Sequence, residues 1–278
     1  MMAELNNNKL PAHVQRFNIH QRLQHLLLAV SVLMLIVTGF PIKYGHTGWA
    51  ATVIGIFGSF EKMFNVHLFF AVVMIISGAY HLIWLIGLFA KQGPVLTMMP
   101  RWKDVTDAIH HYKYMLGLTR TPPQFDRYTY LEKFEYFAVV WGIFVMGFSG
   151  FILWYPRMFT WLPRWMMDVA RVVHTNEAFV AMLALFMGHF FAVHFNPKVF
   201  PTSRVWLNGK ISVEHLAEEH PLEYRKLLQE RGLPEAAAAH ELHASGFGKS
   251  MALIVVEILV YGTIVVAVLV TFLKLLFK

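Results

Sequence analysis

Five long apolar stretches dominate this chain, and they leave few folds open to it. The hydrocarbon core of a bilayer takes about 20 apolar residues as a helix. Leu23–Ile42, Met63–Ala90, Phe134–Tyr155, Val169–Phe195 and Met251–Phe272 each reach that length. Within lipid every backbone N–H and C=O must be satisfied inside its own segment, so such stretches read as helices. Only 15% of the 278 residues are charged, too few to cover a soluble core of this size. The expected fold is an all-α integral membrane protein, a four-helix bundle plus a fifth transmembrane helix. Residues 1–195 should form the bundle, 196–249 a cytoplasmic segment of short amphipathic helices, and 250–278 the last span. The first stretch follows a long polar leader containing Asn6-Asn7-Asn8 and has no clean cleavage site after Pro41, so it is expected to stay as a span.

The basic residues set the expected orientation. The leader holds three Lys/Arg, and the segments after spans two and four hold seven each. The opposite side holds two, three and two, so 17 face 7. The positive-inside rule then places the N-terminus in the cytoplasm and the C-terminus outside. The net charge of +7 lies in these flanking segments, which argues against a nucleic-acid partner. With no cysteine, the chain can hold neither an iron–sulfur cluster nor a covalently attached haem.

Histidine carries the chemistry. An ionisable side chain inside a span is costly and generally faces the bundle interior with a task. His67 and His81 lie in span two, His174, His189 and His194 in span four, and His20 and His25 at the start of span one. Fourteen residues of α-helix from His67 to His81 end about 40° short of four turns and roughly 21 Å along the axis. The fifteen from His174 to His189 end about 60° past four turns. Spans two and four run in the same direction, so His67 should lie level with His174 near the outer surface, and His81 with His189 near the inner one. Each pair suits a six-coordinate haem iron held by two imidazoles. Taken singly, each histidine would equally serve as a helix-bridging hydrogen bonder, but four at matched depths favour haem iron. Gly39, Gly142, Gly147 and Gly150 would let a flat macrocycle approach the backbone. Arg22, Lys91, Arg157, Arg164 and Arg171 are candidate partners for haem propionates.

Several motifs give a family resemblance over about residues 14–227. Arg16-Phe17, then Arg22-x-x-His25 opening a span that closes in Thr38-Gly39, resembles the formate dehydrogenase gamma subunits and the nickel-iron hydrogenase b-type cytochromes. The pattern His67, His81, His174, His189 resembles the cytochrome b of quinol–cytochrome c reductases. The stretch His174–Pro201, and the later His220-Pro221-Leu222-Glu223-Tyr224, are similar to bacterial cytochrome b/b6-domain proteins.

The resemblance implies a quinone-reacting electron-transfer subunit with two haems b, or three if His25 and His194 hold another. Menaquinone or ubiquinone would be the quinone. The external redox partner would be a dehydrogenase, a hydrogenase, an iron–sulfur subunit or a multihaem cytochrome. For the inner haem the formate dehydrogenase pattern points to His25 beside His189, and the cytochrome b pattern to His81. The 14/15 spacing favours His81. Both choices stay open, as do a quinone-lining or propionate-binding role for His25 and His194.

Two other readings use histidines. A membrane di-iron oxygenase or desaturase needs clustered boxes, whereas these histidines are spread through the membrane. A metal or proton transporter would place them at mid-membrane. His110-His111 reads as solvated, His240-x-x-His243 lacks further ligands for a metal, and Glu257 is an isolated acid in the fifth stretch.

Overall fold

The structure, a computed structural model, describes residues 10–93, 96–196, 199–200 and 202–234. The fifth apolar stretch, Glu257, His240 and His243 lie outside the described residues. Four helices are long and apolar enough to cross a membrane: Ile19–Lys43 (α1), Phe60–Gln92 (α3), Tyr130–Trp154 (α5) and Trp165–Phe195, of which Trp165–Leu183 is α6. The all-α membrane architecture is therefore present, relieved by one pair of three-residue strands.

Three of the spans begin where a polar side chain satisfies the first free N–H groups, a few residues before the apolar run. Asn18 and Gln21 cap α1 reciprocally, both at 3.0 Å. Ser59 accepts from the Lys62 N–H at 3.2 Å to start α3, and Thr129 and Glu132 form the same reciprocal box on α5. Large side chains such as Leu26, Val30, Ile76 and Phe144 point outward, as a lipid-facing surface requires.

The described chain divides into two compact units. The larger comprises 10–182 and 204–226. In it α1, α3, α5 and α6 alternate in direction. Gln24 and Thr38 on α1 meet His81 and His67 on α3, and Ser149 on α5 meets His174 on α6. The end at which α1 begins is called the N-terminal end below, and the opposite one the far end. A short helix, Gly48–Ile56 (α2), joins α1 to α3.

Trp102–Met115 (α4) was not foreseen from sequence. Trp102, Val105, Ile109 and Tyr112 form an exposed apolar stripe at helical spacing, suited to the membrane–water interface. Lys133, only 2% exposed, anchors α4 to α5 through both Asp104 oxygens at 2.7 and 2.9 Å.

The N-terminal end is tied together by charge. His13–Gln15 (β1) pairs antiparallel with Lys210–Ser212 (β2), with Val14 opposite Ile211. Val205–Asn208 (α7) precedes β2, and Val213–Glu219 (α8) and Pro221–Glu230 (α9) follow it. Arg16, 5% exposed, donates to Glu223 and to the Arg127 carbonyl, and lies 3.1 Å from His220 Nε2. Arg127 donates to Glu223 at 2.5 Å and to the Arg16 carbonyl at 2.7 Å. His220 Nδ1–H donates to the Asp126 carbonyl at 2.8 Å, which leaves Nε2 to accept from Arg16. The His220-Pro221-Leu222-Glu223-Tyr224 motif thus has a structural task. Its histidine and glutamate lock the strand, the α4–α5 loop and α9 to one buried guanidinium.

This platform should loosen in acid. Burial, then the Arg16 charge, lowers the His220 pKa below its ordinary 6.5. Its contribution to stability is therefore complete above about 6.5 and is lost as pH falls from there through the lowered folded value. Burial alone would raise Asp126, but Lys226 at 2.8 Å, the Arg127 N–H and Arg101 bring it down to about 2. Its share is lost only between about 3.8 and 2. Hydrogen exchange across residues 210–226, corrected for intrinsic rates, should speed up between about pH 7.5 and 5.5. The lipid-facing spans should not respond. Unchanged protection over that window would contradict a neutral, buried His220.

The smaller unit contains residues 183–203 and 227–234 of the described chain. Its helical part is wound as π-helix over Ala184–His189 and Phe191–Phe195. The helix ends at Asn196, whose N–H bonds the Phe191 carbonyl at 2.9 Å. A π-turn holds more residues than an α-turn, so the 100° step used to phase His189 holds only as far as Leu183. Such insertions are frequent at functional sites.

Candidate functional site

Two matching arrangements occupy the far end of the larger unit. On α1, Thr38 Oγ1 donates to the Met34 carbonyl at 2.7 Å and lies 2.9 Å from His67 Nδ1. On α5, Ser149 Oγ donates to the Val145 carbonyl at 2.6 Å and lies 3.0 Å from His174 Nδ1. In both, the hydroxyl proton is committed to the helix, so the oxygen accepts from the imidazole. Nδ1 therefore carries the hydrogen and Nε2 keeps its lone pair. The Met146 carbonyl is a further acceptor for His174; no other hydrogen bond of either ring to protein is found among the described residues. The two rings are close enough to interact electrostatically.

The next residue in each case is glycine. A Cβ on Gly39 would meet His67 Cε1 at 3.0 Å, and one on Gly150 would meet His174 Cε1 at 3.1 Å. These glycines make room for the imidazole edge, and a Cβ at either would require the ring to give by a few tenths of an ångström. Gly142 lies near Glu177 and Gly147 near Ile75. Sequence reasoning gave all four glycines one purpose, close approach of a macrocycle, whereas two of them seat the histidines. Thr38 and Ser149 were missed as partners. The signal was a hydroxyl–glycine pair on the helix preceding each histidine-bearing span.

This arrangement fits a haem. An axial histidine generally donates its other ring N–H to a fixed acceptor, which sets the tautomer and orients the ligand. Two imidazoles so set, each with Nε2 available, are what a six-coordinate haem iron requires.

The N-terminal end differs. His81 Nδ1 lies 2.9 Å from Gln24 Oε1, and its Nε2 lies 2.8 Å from the Tyr136 hydroxyl. Both ring nitrogens are thus engaged by protein, and an iron at either would have to displace a partner. His20 Nδ1 lies 2.8 Å from Tyr80 Oη. His25, adjacent to Gln24, packs its ring 5.8 Å from that of Trp206 on α7. Gln24 is 6% exposed, and its Nε2 has no hydrogen-bond partner among the described residues. A buried polar atom left so costs about 1–3 kcal/mol.

His189 and His194 belong to the smaller unit, within its π-helical stretch, where His194 packs on Phe190 at 4.8 Å. Of the arginines considered for propionates, Arg22 donates to the Leu207 carbonyl and Arg171 to Asp168 at 3.2 Å. His110 lies 3.0 Å from the Thr121 carbonyl, and His111 3.0 Å from the Tyr130 hydroxyl.

Antiparallel membrane helices with hydroxyl-set imidazoles between them define a membrane cytochrome of b type, in which histidines hold haem without a covalent link. A family model for prokaryotic cytochrome b561 matches residues 16–205, and the chain belongs to that family. No curated protein matches it. It is accordingly a multi-pass bacterial membrane protein that carries electrons on haem b.

Proposed function

We propose that this cytochrome carries electrons across the membrane through two stacked bis-histidine haems b, between an external redox subunit and the quinone pool. The observation that carries this reading is the repeated hydroxyl–imidazole–glycine unit at the far end. His67 and His174 hold the outer haem. Bound haem b supplies a one-electron iron couple at each level.

For the inner haem, His189 is one ligand in either family pattern that the sequence resembles. The formate dehydrogenase-like pattern supplies His25 as the second, and the engagement of both His81 nitrogens favours His25 over His81. His194 is left for a propionate, a quinone or a further haem. The Lys/Arg distribution puts the N-terminal end in the cytoplasm and the far end outside. The partner is an external subunit that oxidises its own substrate, since the chain has no nicotinamide or flavin fingerprint. Electrons driven inward against about 100 mV each need roughly 2.3 kcal/mol from that partner. A di-iron oxygenase is disfavoured: no group of three His, Cys, Asp or Glu is gathered for a metal among the described residues.

Quinone chemistry is assigned to the cytoplasmic end, where His20, Tyr80, Gln24, His81 and Tyr136 supply hydrogen-bonding groups. A quinone-analogue inhibitor should shift the spectrum or potential of the inner haem and leave the outer one unchanged. A response confined to the outer haem would place the site at the wrong end.

A further inference from the structure

His81 stands apart from His67 and His174. Its partners come from two other helices, Gln24 on α1 and Tyr136 on α5. Its remaining near neighbour on α3 is the Trp84 ring at 6.1 Å. Among the described residues, no charged group bonds to it. Besides His81, Tyr136 interacts electrostatically with Tyr128.

Gln24 adds an independent observation. It is 94% buried (6% exposed), one amide atom faces His81, and the other has no partner among the described residues. Turning the amide round exchanges oxygen and nitrogen but still leaves one of them unmatched. A native interior rarely keeps such an atom without a reason, and an absent ligand is one. With Oε1 on the His81 N–H, the orphan is a donor, and it asks for an acceptor such as a carbonyl oxygen. The phenol beside it is a proton donor whose own partner, the imidazole, can replace the proton it gives.

We infer that Gln24, Tyr136 and His81 form the carbonyl-binding and proton-delivering part of the quinone site, and that His81 is a relay residue rather than an axial ligand. This rests on the quinone reading above. Gln24 Nε2–H holds one quinone carbonyl oxygen. Reduction of the quinone to quinol takes two electrons, delivered singly along the haem b path, and two protons. For one of these, the Tyr136 O–H bond breaks as the quinol O–H bond forms. His81 Nε2, which carries no proton while Nδ1–H donates to Gln24, takes a proton from water at the cytoplasmic end and passes it to the phenolate oxygen. The second proton goes to the other quinone oxygen from solvent. Quinol oxidation runs the same steps in reverse.

The test uses the full-length, haem-loaded protein and two variants, His81→Gln and Tyr136→Phe. Haem per protein and low-spin EPR signals come first, and both variants should match the parent. Rapid mixing with a short-chain ubiquinol and with a menaquinol analogue comes second. Haem reduction by quinol should slow about 100-fold in each variant, with a flattened pH–rate profile and a changed solvent isotope effect. Reduction by dithionite should be unchanged. Loss of a haem from His81→Gln would make His81 an axial ligand and overturn the inference. Full haem content with an unaltered rate and pH profile would reduce the trio to a structural tie and overturn it as well. Should His81→Gln fail to fold, Tyr136→Phe, which keeps the ring, decides alone. A parent protein whose haems no quinol reduces would instead overturn the quinone reading, and this inference with it.

Discussion

Replacing His67 or His174 by alanine should remove one haem and halve the haem-to-protein ratio, with the other haem's low-spin signal intact. Each imidazole stands in its own polar seat, Thr38 on α1 for His67 and Ser149 on α5 for His174. On the proposed bis-histidine ligation, losing either ring takes away one of two axial bonds and leaves the other helix pair in place. Weaker variants should rank below these. Thr38→Val and Ser149→Ala remove the acceptor that fixes the tautomer, and such supporting partners are worth about 10–100-fold in metal affinity. They should therefore lose haem on dilution or mild detergent treatment while binding it at high concentration. Gly150→Leu should resemble the histidine variants, because its side chain would strike His174. Two unchanged haems in both alanine variants would move the outer site elsewhere.

The largest effect on stability should come from Arg16→Met. Arg16 lies buried with Glu223, the Arg127 carbonyl and His220 around it, and Glu132 at 3.6 Å. Removing one partner from a buried ionic group typically costs about 3–5 kcal/mol where the opposite charge stays behind unpaired, and less where it keeps another partner. Glu223 would keep Arg127, and His220 Nε2 would lose its donor. Adding Glu223→Gln to Arg16→Met should recover part of the loss, because the two residues act as one unit. Arg16→Lys should restore charge but not the forked geometry, and should fall between. Thermal unfolding in detergent, followed by helix signal and haem absorbance together, measures all three. A near-neutral Arg16→Met would mean that the platform contributes little to the fold.

The membrane spans were legible because about 20 apolar residues in a row have few other fates. Their starts were less so. Asn18, Ser59 and Thr129 begin the helices three or four residues before the apolar run, since capping rather than hydropathy sets a helix N-terminus. His67 and His174 could be brought to one level because α3 and α6 keep α-helical winding through them. His189 lies in π-turns, where counting at 100° per residue fails. The supporting side chains were harder. Thr38 and Ser149 act across a helix interface, and no spacing within one segment reveals a partner 29 or 25 residues away. Gln24 was invisible as a site residue because an amide in an apolar run reads as a boundary. Arg16 was counted as a topology charge, and its burial follows from a tertiary contact 207 residues along the chain.

The central claim is that the bundle holds two low-spin, bis-histidine haems b. The most direct measurement is a dithionite-reduced minus oxidised spectrum of the purified protein, with haem extracted and counted against protein. The account predicts a b-type alpha band, two non-covalent haems per chain and no high-spin iron. A chain that purifies folded with no b-type band, or with one haem that is unaffected by loss of His67 and His174, would contradict it.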